Sequence, residues 1–158
     1  MFSISREWKG IPPWQWREML WLFPGKPKPF LRKRRKGGRP RSDDRVSLEA
    51  IFWSARTGFS LRRVPPRFGR PRTAERRFEL WYKSSVLERA WKCYFRQTGV
   101  VEREEWRRDL AVACGRSPAF WRLELQSMLE TEWPREKSVI LNACAESSPW
   151  QGGLTPPN

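Results

Sequence analysis

Histidine is missing from this chain altogether, and its absence removes whole classes of chemistry. There is no imidazole to act as a general base, no Ser-His or Cys-His nucleophile, and no Cys-His zinc site. Cysteine is scarce. Cys93, Cys114 and Cys144 are odd in number and far apart, which suits small buried hydrophobes in a reducing compartment better than a disulfide frame or a zinc cluster. Aspartate occurs only as Asp43, Asp44 and Asp109. There is no Walker-type phosphate loop and no dinucleotide fingerprint; Gly37-Gly38 lies in a cationic stretch, where it supplies flexibility. No apolar run nears the roughly 18 to 20 residues a bilayer span needs. The N-terminus is broken by charge and tryptophan where a signal peptide needs a clean apolar core. The expectation is a cytoplasmic protein with no membrane partner.

Positive charge is what the chain has in excess. The net charge is +15 and the sequence pI about 11.0, so the molecule must meet a polyanion, and nucleic acid is the first partner to consider. The surplus is uneven. Residues 1–98 hold 25 Lys and Arg against 8 Asp and Glu, whereas residues 99–158 hold 7 against 9. The cationic function therefore sits in the first two-thirds of a chain whose 158 residues amount to one ordinary domain.

The punctuation of the sequence predicts an all-α chain in four parts. Residues 1–25 form a Trp-rich segment with a short helix from Pro13 to about Phe23, proline being suited to a first helical position. Its Trp8, Trp14, Trp16 and Trp21 read as packing residues. Residues 26–41 carry nine cations, no anion and five Pro or Gly breakers, a composition that cannot bury a core and so predicts a flexible arm. Residues 42–98 form the folded core. There, a helix opens at Ser42 or Asp43 and closes at Gly58, with Leu48, Ile51, Phe52 and Ala55 on one side and Val46, Ala50 and Trp53 on another. A short helical piece over Ser60–Val64, a break at Pro65–Gly69, a helix from Pro71 to about Lys83, and another from Ser85 to about Gln97 follow. On the Pro71 helix, Ala74, Phe78 and Trp81 face inward while Arg72, Arg76, Glu79 and Lys83 face outward. Trp81 is expected to pack against the helix of Leu48–Ala55. Residues 99–158 read as an acidic helical segment and a weakly structured tail.

A helical piece, a sharp break and a basic helix make a helix-turn-helix pattern, in which the N-terminal residues of the second helix meet base edges in the major groove. Those positions are Arg72, Thr73 and Arg76, and Arg can donate two bonds to guanine. Arg62, Arg63, Arg67 and Arg70 before the helix, and Lys83 at its end, suit phosphate contacts. In the arm, Lys33, Arg34, Arg35, Arg39 and Arg41 suit the DNA backbone or the minor groove. Asp43-Asp44 does not read as a metal site, because adjacent residues at a helix start diverge and negative charge there is favoured by the helix dipole.

One succession is more specific than any of its parts: Gly38-Arg39-Pro40-Arg41, Asp43-Asp44-Arg45, Leu48, Ile51-Phe52-Trp53, Arg56-Thr57-Gly58, Pro65, Phe68-Gly69, Arg77-Phe78 and Trp81. This order resembles the N-terminal DNA-binding domain of bacterial insertion-sequence transposases of the DDE superfamily. The resemblance implies binding of duplex DNA at an element's terminal inverted repeats, with the catalytic half as a partner, or self-association. It also implies that the catalytic acids and their divalent metal belong to a later domain, so that this chain needs no cofactor and does not cleave DNA by itself. The chain is then the first frame of a split enzyme, or a truncated remnant whose tail after about Gly99 is out of frame. The chain departs from the family at Leu61 and Arg63, where a tryptophan and an acidic residue are usual, and at Ser85, where a glycine is common. Two other readings stay open: a general basic, RNA-associated protein, which the charge and the 11 tryptophans also suit, and a remnant without function.

Overall fold

The computed structural model describes residues 8–23 and 43–135. The cationic arm, with Lys33, Arg34, Arg35, Arg39 and Arg41, lies outside the described residues, as does the end of the tail. The chain divides into two units, 1–126 and 127–158. Of the second, the described part is the end of the last helix and the residues to Arg135.

Six α-helices make up the described residues, with no strand among them: α1 Pro13–Met19, α2 Asp44–Thr57, α3 Pro71–Lys83, α4 Val86–Gln97, α5 Val100–Arg116 and α6 Phe120–Glu132. The all-α expectation holds. The short stop after α1 is a 3-10 turn at Leu20–Leu22. The limb before the break is also a single 3-10 turn, Leu61–Arg63, and the break itself contains a second one, Pro66–Phe68. Prolines at 65, 66 and 71 leave no room for a longer helix between them.

Local chemistry sets the ends of α2. Asp43 is extended, and its Oδ1 accepts from the Arg45 N–H at 3.0 Å, the usual N-cap bond. At the other end Gly58 takes a left-handed conformation, φ 77°, and its N–H donates to the Ser54 carbonyl at 3.1 Å. A second constraint acts on the same glycine. A Cβ there would stand 3.1 Å from the Ala113 Cα, so Gly58 both ends α2 and lets α5 approach.

Leu48, Ala50, Ile51, Phe52 and Ala55 of α2 are all fully buried, as a helix apolar on two sides must be. Phe52 lies at the centre. Its ring stacks on Trp91 at 4.0 Å and meets Tyr94 edge-on at 4.9 Å and Trp106 edge-on at 5.8 Å. On the other side of α2, Ala50, Val64, Phe68 and Ala74 form a smaller cluster, with Trp8, Trp53 and Leu61 against it. Leu61 thus packs where the resembled family usually has a tryptophan, and Arg63 stays exposed at the surface.

Two expectations change and one gains a partner. First, residue 98 is not an edge of the core. Trp106, Leu110 and Ala113 of α5 are fully buried, and Trp106 meets Trp8, Phe52, Trp91, Tyr94 and Phe95. Arg56 of α2 lies 5.0 Å over the Trp106 ring and pairs with Asp109 and, at 3.7 Å, with Glu105. The acidic character of Glu102–Asp109 overlies a stripe at 106, 110 and 113 that has the i, i+4, i+7 spacing of a buried face. Second, Trp81 is buried as expected, on a helix that packs against α2, and it gains a ring partner the sequence does not show, Phe23, edge-on at 4.8 Å. Third, of the N-terminal tryptophans, Trp8 and Trp16 pack against rings, whereas Trp14 and Trp21 are 56% and 70% exposed. Only one side of so short a helix can face the core.

Candidate nucleic-acid interface

The outward stripe of α3 begins with how the helix is fixed. Pro71 occupies its first turn, where a missing N–H costs nothing. The Arg70 carbonyl takes the N–H groups of Thr73 at 3.1 Å and Ala74 at 3.2 Å. Phe68 and Ala74 insert into the cluster on α2, while Gly69, at φ 82°, makes the corner between them; a Cβ there would come within 3.3 Å of Val46 Cγ1. Farther along, Arg77 clamps α3 to the start of α2. Its Nη1 donates to the Asp43 carbonyl and the Ser47 Oγ, both at 2.9 Å, and lies 2.9 Å from Asp44 Oδ1. Hydrogen bonds to charged groups are the stronger ones.

The Asp43-Asp44 pair thereby acquires two structural jobs, an N-cap and an anchor for Arg77. The remaining aspartate, Asp109, pairs with Arg56. Among the described residues, no group of three or more His, Cys, Asp or Glu side chains is placed to hold a metal ion.

With the inner face so held, Arg72, Arg76, Glu79 and Lys83 all stand exposed, at i, i+4, i+7 and i+11 along one side of α3. No hydrogen bond or ion pair engages Arg72, Arg76 or Lys83 among the described residues. Thr73 is half-buried beside them. The turns contribute Arg62, Arg63, Arg67 and Arg70, all exposed, but three of them have neighbours. Arg62 reaches Glu75 of α3 at 3.1 Å. Arg67 lies 4.6 Å over the Phe68 ring and reaches the Trp8 carbonyl at 3.5 Å, and Arg63 sits 6.0 Å from the Phe59 ring. The structure therefore gathers Arg72, Arg76 and Lys83 into one exposed row, with Arg62, Arg63, Arg67 and Arg70 on the turns that lead to it.

Arg77 and Asp44 are the residues whose roles the sequence hid. Both stand in the shared succession, but nothing in their spacing shows that they touch, since 33 residues separate them. Near the far end of α3, Tyr82 donates to Glu124 Oε2 at 2.7 Å, and that bond raises its pKa. The α3–α4 corner is tight. Ser85 there is the one described non-glycine residue with positive φ, 59°, which is where the resembled family commonly has glycine.

No helix among the described residues is long and apolar enough to cross a membrane. Comparison with solved structures finds no match. A curated protein of Sinorhizobium fredii, "Uncharacterized protein y4sN", is 33% identical over 79 residues, 50% of this chain and 58% of that protein. The match thus spans little more than half the length of this relative. Residues 15–91 match the family described as "Putative transposase of IS4/5 family". That stretch runs from the buried Gln15 of α1, whose side chain donates to the Tyr94 carbonyl, to Trp91 against Phe52, and it includes the whole of α2 and α3. Over this stretch, just under half of its length, the chain is similar to the family described as a putative transposase of the IS4/5 type.

Proposed function

We propose that the chain binds duplex DNA through α3, as the DNA-binding part of an insertion-element transposase that recognises terminal inverted repeats. The observation that carries this reading is the row of Arg72, Arg76 and Lys83, exposed on a helix whose inner face is fixed by Ala74, Arg77 and Trp81. A rigid cationic helix preceded by a sharp turn suits the major groove, its first residues nearest the base edges. Arg72 and Arg76 take the base-reading role, and Thr73, half-buried, reaches the nearest edge or phosphate. Arg62, Arg63, Arg67, Arg70 and Lys83 hold phosphates, and the sequence of the arm, with Lys33, Arg34, Arg35, Arg39 and Arg41, adds sequence-independent attraction. Cleavage and joining fall to a catalytic domain outside this chain, where the divalent metal of such enzymes also belongs. The reading places the chain in the bacterial cytoplasm, on the nucleoid.

Affinity for element-end and scrambled duplexes, measured at several salt concentrations, tests the assignment. Arg72→Ala or Arg76→Ala should cost about 1 to 3 kcal/mol on the element end and flatten discrimination. Lys33→Ala or Arg34→Ala should weaken all duplexes alike and lower the salt slope by about one. Equal losses on both duplexes for the α3 variants would remove the reading role.

One observation favours a second reading. Trp14 and Trp21 are exposed with Arg17 between them on one side of the N-terminal helical segment, an aromatic and cationic surface on which unpaired bases can stack. Tighter binding to single strands than to duplex, lost in Trp21→Ala, would move the assignment to a general nucleic-acid binder.

A further inference from the structure

The outer side of α5 carries Val101, Glu105, Arg108 and Val112 at i, i+4, i+7 and i+11, a single row on a helix of 3.6 residues per turn. Val101 and Val112 are 75% and 60% exposed. Arg108 is exposed and no described residue engages it. Glu105 lies 3.7 Å from Arg56 yet keeps its side chain 39% exposed. Isolated surface valines need no explanation. Here two of them bracket a pair of opposite charges, and the row has a symmetry of its own. Read backwards, it is again valine, charge, opposite charge, valine. An antiparallel copy centred between Glu105 and Arg108 sets Val101 on Val112 and Glu105 on Arg108, twice over.

We propose that this face of α5 is a two-fold interface with a second copy of the chain. An isologous contact requires a self-complementary patch, and the row meets that requirement in both shape of pattern and sign of charge. Gly115, three residues beyond Val112, continues the same side of α5, and a Cβ there meets nothing within 4 Å, so its own subunit leaves that end of the row open. The row spans about 16 Å of helix and makes a contact smaller than a standard stable interface of roughly 1,600 Å², so the dimer is weak and depends on concentration. The inference is independent of the DNA-binding reading, since α5 and the α3 stripe share no residue.

Sedimentation of the full chain over a wide concentration range tests it, with circular dichroism to confirm that each variant is folded. The wild-type mass should climb from 18.9 kDa towards twice that value. Glu105→Arg and Arg108→Glu, each placing like charges in apposition, should each weaken self-association about tenfold or more. Mixed in equal amounts the two should associate again, because a row with two cations then faces a row with two anions. Val112→Asp, which leaves the charges in place, should also weaken the dimer. A wild-type chain that stays monomeric throughout overturns the proposal. So does a dimer indifferent to these substitutions, or a pair of charge variants that fails to associate on mixing.

Discussion

Replacing Trp106 with alanine asks whether α5 is part of the domain or an appendage to it. The side chain is fully buried and meets five other rings, and Arg56 lies over its face. A buried tryptophan removes on the order of 200 Å² from water, which at about 25 cal/mol per Å² is roughly 5 kcal/mol. Measured truncations of large aromatics fall at about 3 to 5 kcal/mol, the spread reflecting how far the site collapses. A site walled by Trp8, Phe52, Trp91, Tyr94 and Phe95 is rigid and collapses little, so the upper part of that range is expected. Domains of this size are stable by only about 5 to 15 kcal/mol, and each kcal/mol is worth several degrees of Tm, roughly 4 to 8 °C for domains of 60 to 100 residues. Trp106→Ala should therefore lower Tm by well over 10 °C in a thermal melt followed by circular dichroism. Duplex affinity should fall at temperatures where the wild type is still folded. Trp21→Ala is the control: at 70% exposure it should change stability by no more than about 0.5 kcal/mol. If Trp106→Ala melts within a few degrees of the wild type, α5 does not complete the core. A chain ending at Gln97 would then fold and bind DNA by itself, as charge distribution alone suggests.

Three further outcomes follow from individual contacts. Ser85 holds a left-handed conformation, φ 59°, that costs a non-glycine residue about 1 to 2 kcal/mol; Ser85→Gly, after the entropy cost of glycine, should raise stability by about 0.5 to 1 kcal/mol in urea, and a loss would show that the serine hydroxyl matters more than the strain. Arg77→Ala removes the partner of Asp44 and of the Asp43 carbonyl, and should cost about 1.5 to 3 kcal/mol, with Asp44→Asn costing less; equal stability for Arg77→Ala would mean that α3 is held by Trp81 and Ala74 alone. In alkali, Tyr94 has its pKa raised from an ordinary 10.0 by burial first and then by Glu102, which accepts its hydroxyl at 2.8 Å, and burial also raises Cys93 and Cys114 from 9.0. The folded state holds these protons more tightly than the unfolded one, so their contribution is complete below pH 9.0 and is lost as pH rises past 9.0 and then 10.0. Tm should be flat up to that point and fall above it, less steeply in Tyr94→Phe; a fall beginning near neutrality would point to another group.

Much of the fold was legible because its signals are local. A proline in the first turn of α1 and of α3, an aspartate before α2 and a glycine after it act within a few residues, and each is where the chain begins or ends a helix. The outward side of α3 was legible too, since 3.6-residue periodicity separates Arg72, Arg76 and Lys83 from Ala74 and Trp81 without reference to anything else. What failed were inferences about partners. Charge placed α5 outside the core, although Trp106, Leu110 and Ala113 have the spacing of a buried face, because net charge averages a helix over sides that the fold keeps apart. The contact of Trp81 with Phe23 is invisible in the sequence because nothing there ties position 81 to position 23. Residue type alone puts Trp14 and Trp21 in the interior, whereas the packing of a short helix leaves both exposed.

The same distinction separates what the family resemblance says from what it leaves open. Asp43 caps α2, Asp44 holds Arg77, Leu48, Ile51 and Phe52 fill the core, Arg56 reaches across to Asp109 over Trp106, Gly58 admits α5, Phe68 and Gly69 make the corner before α3, and Trp81 closes on Phe23. Every one of these described members of the shared succession builds the scaffold or joins two helices of it. Arg72, Arg76 and Lys83, the exposed row, stand between or beyond them and belong to no part of the succession. A scaffold fixed by one set of residues and a surface carried by another can keep its shape while the chemistry of that surface changes. The match over residues 15–91 therefore speaks for the frame that holds α3, and under the proposed function the choice of duplex rests on Arg72 and Arg76, with Lys83 on the phosphates.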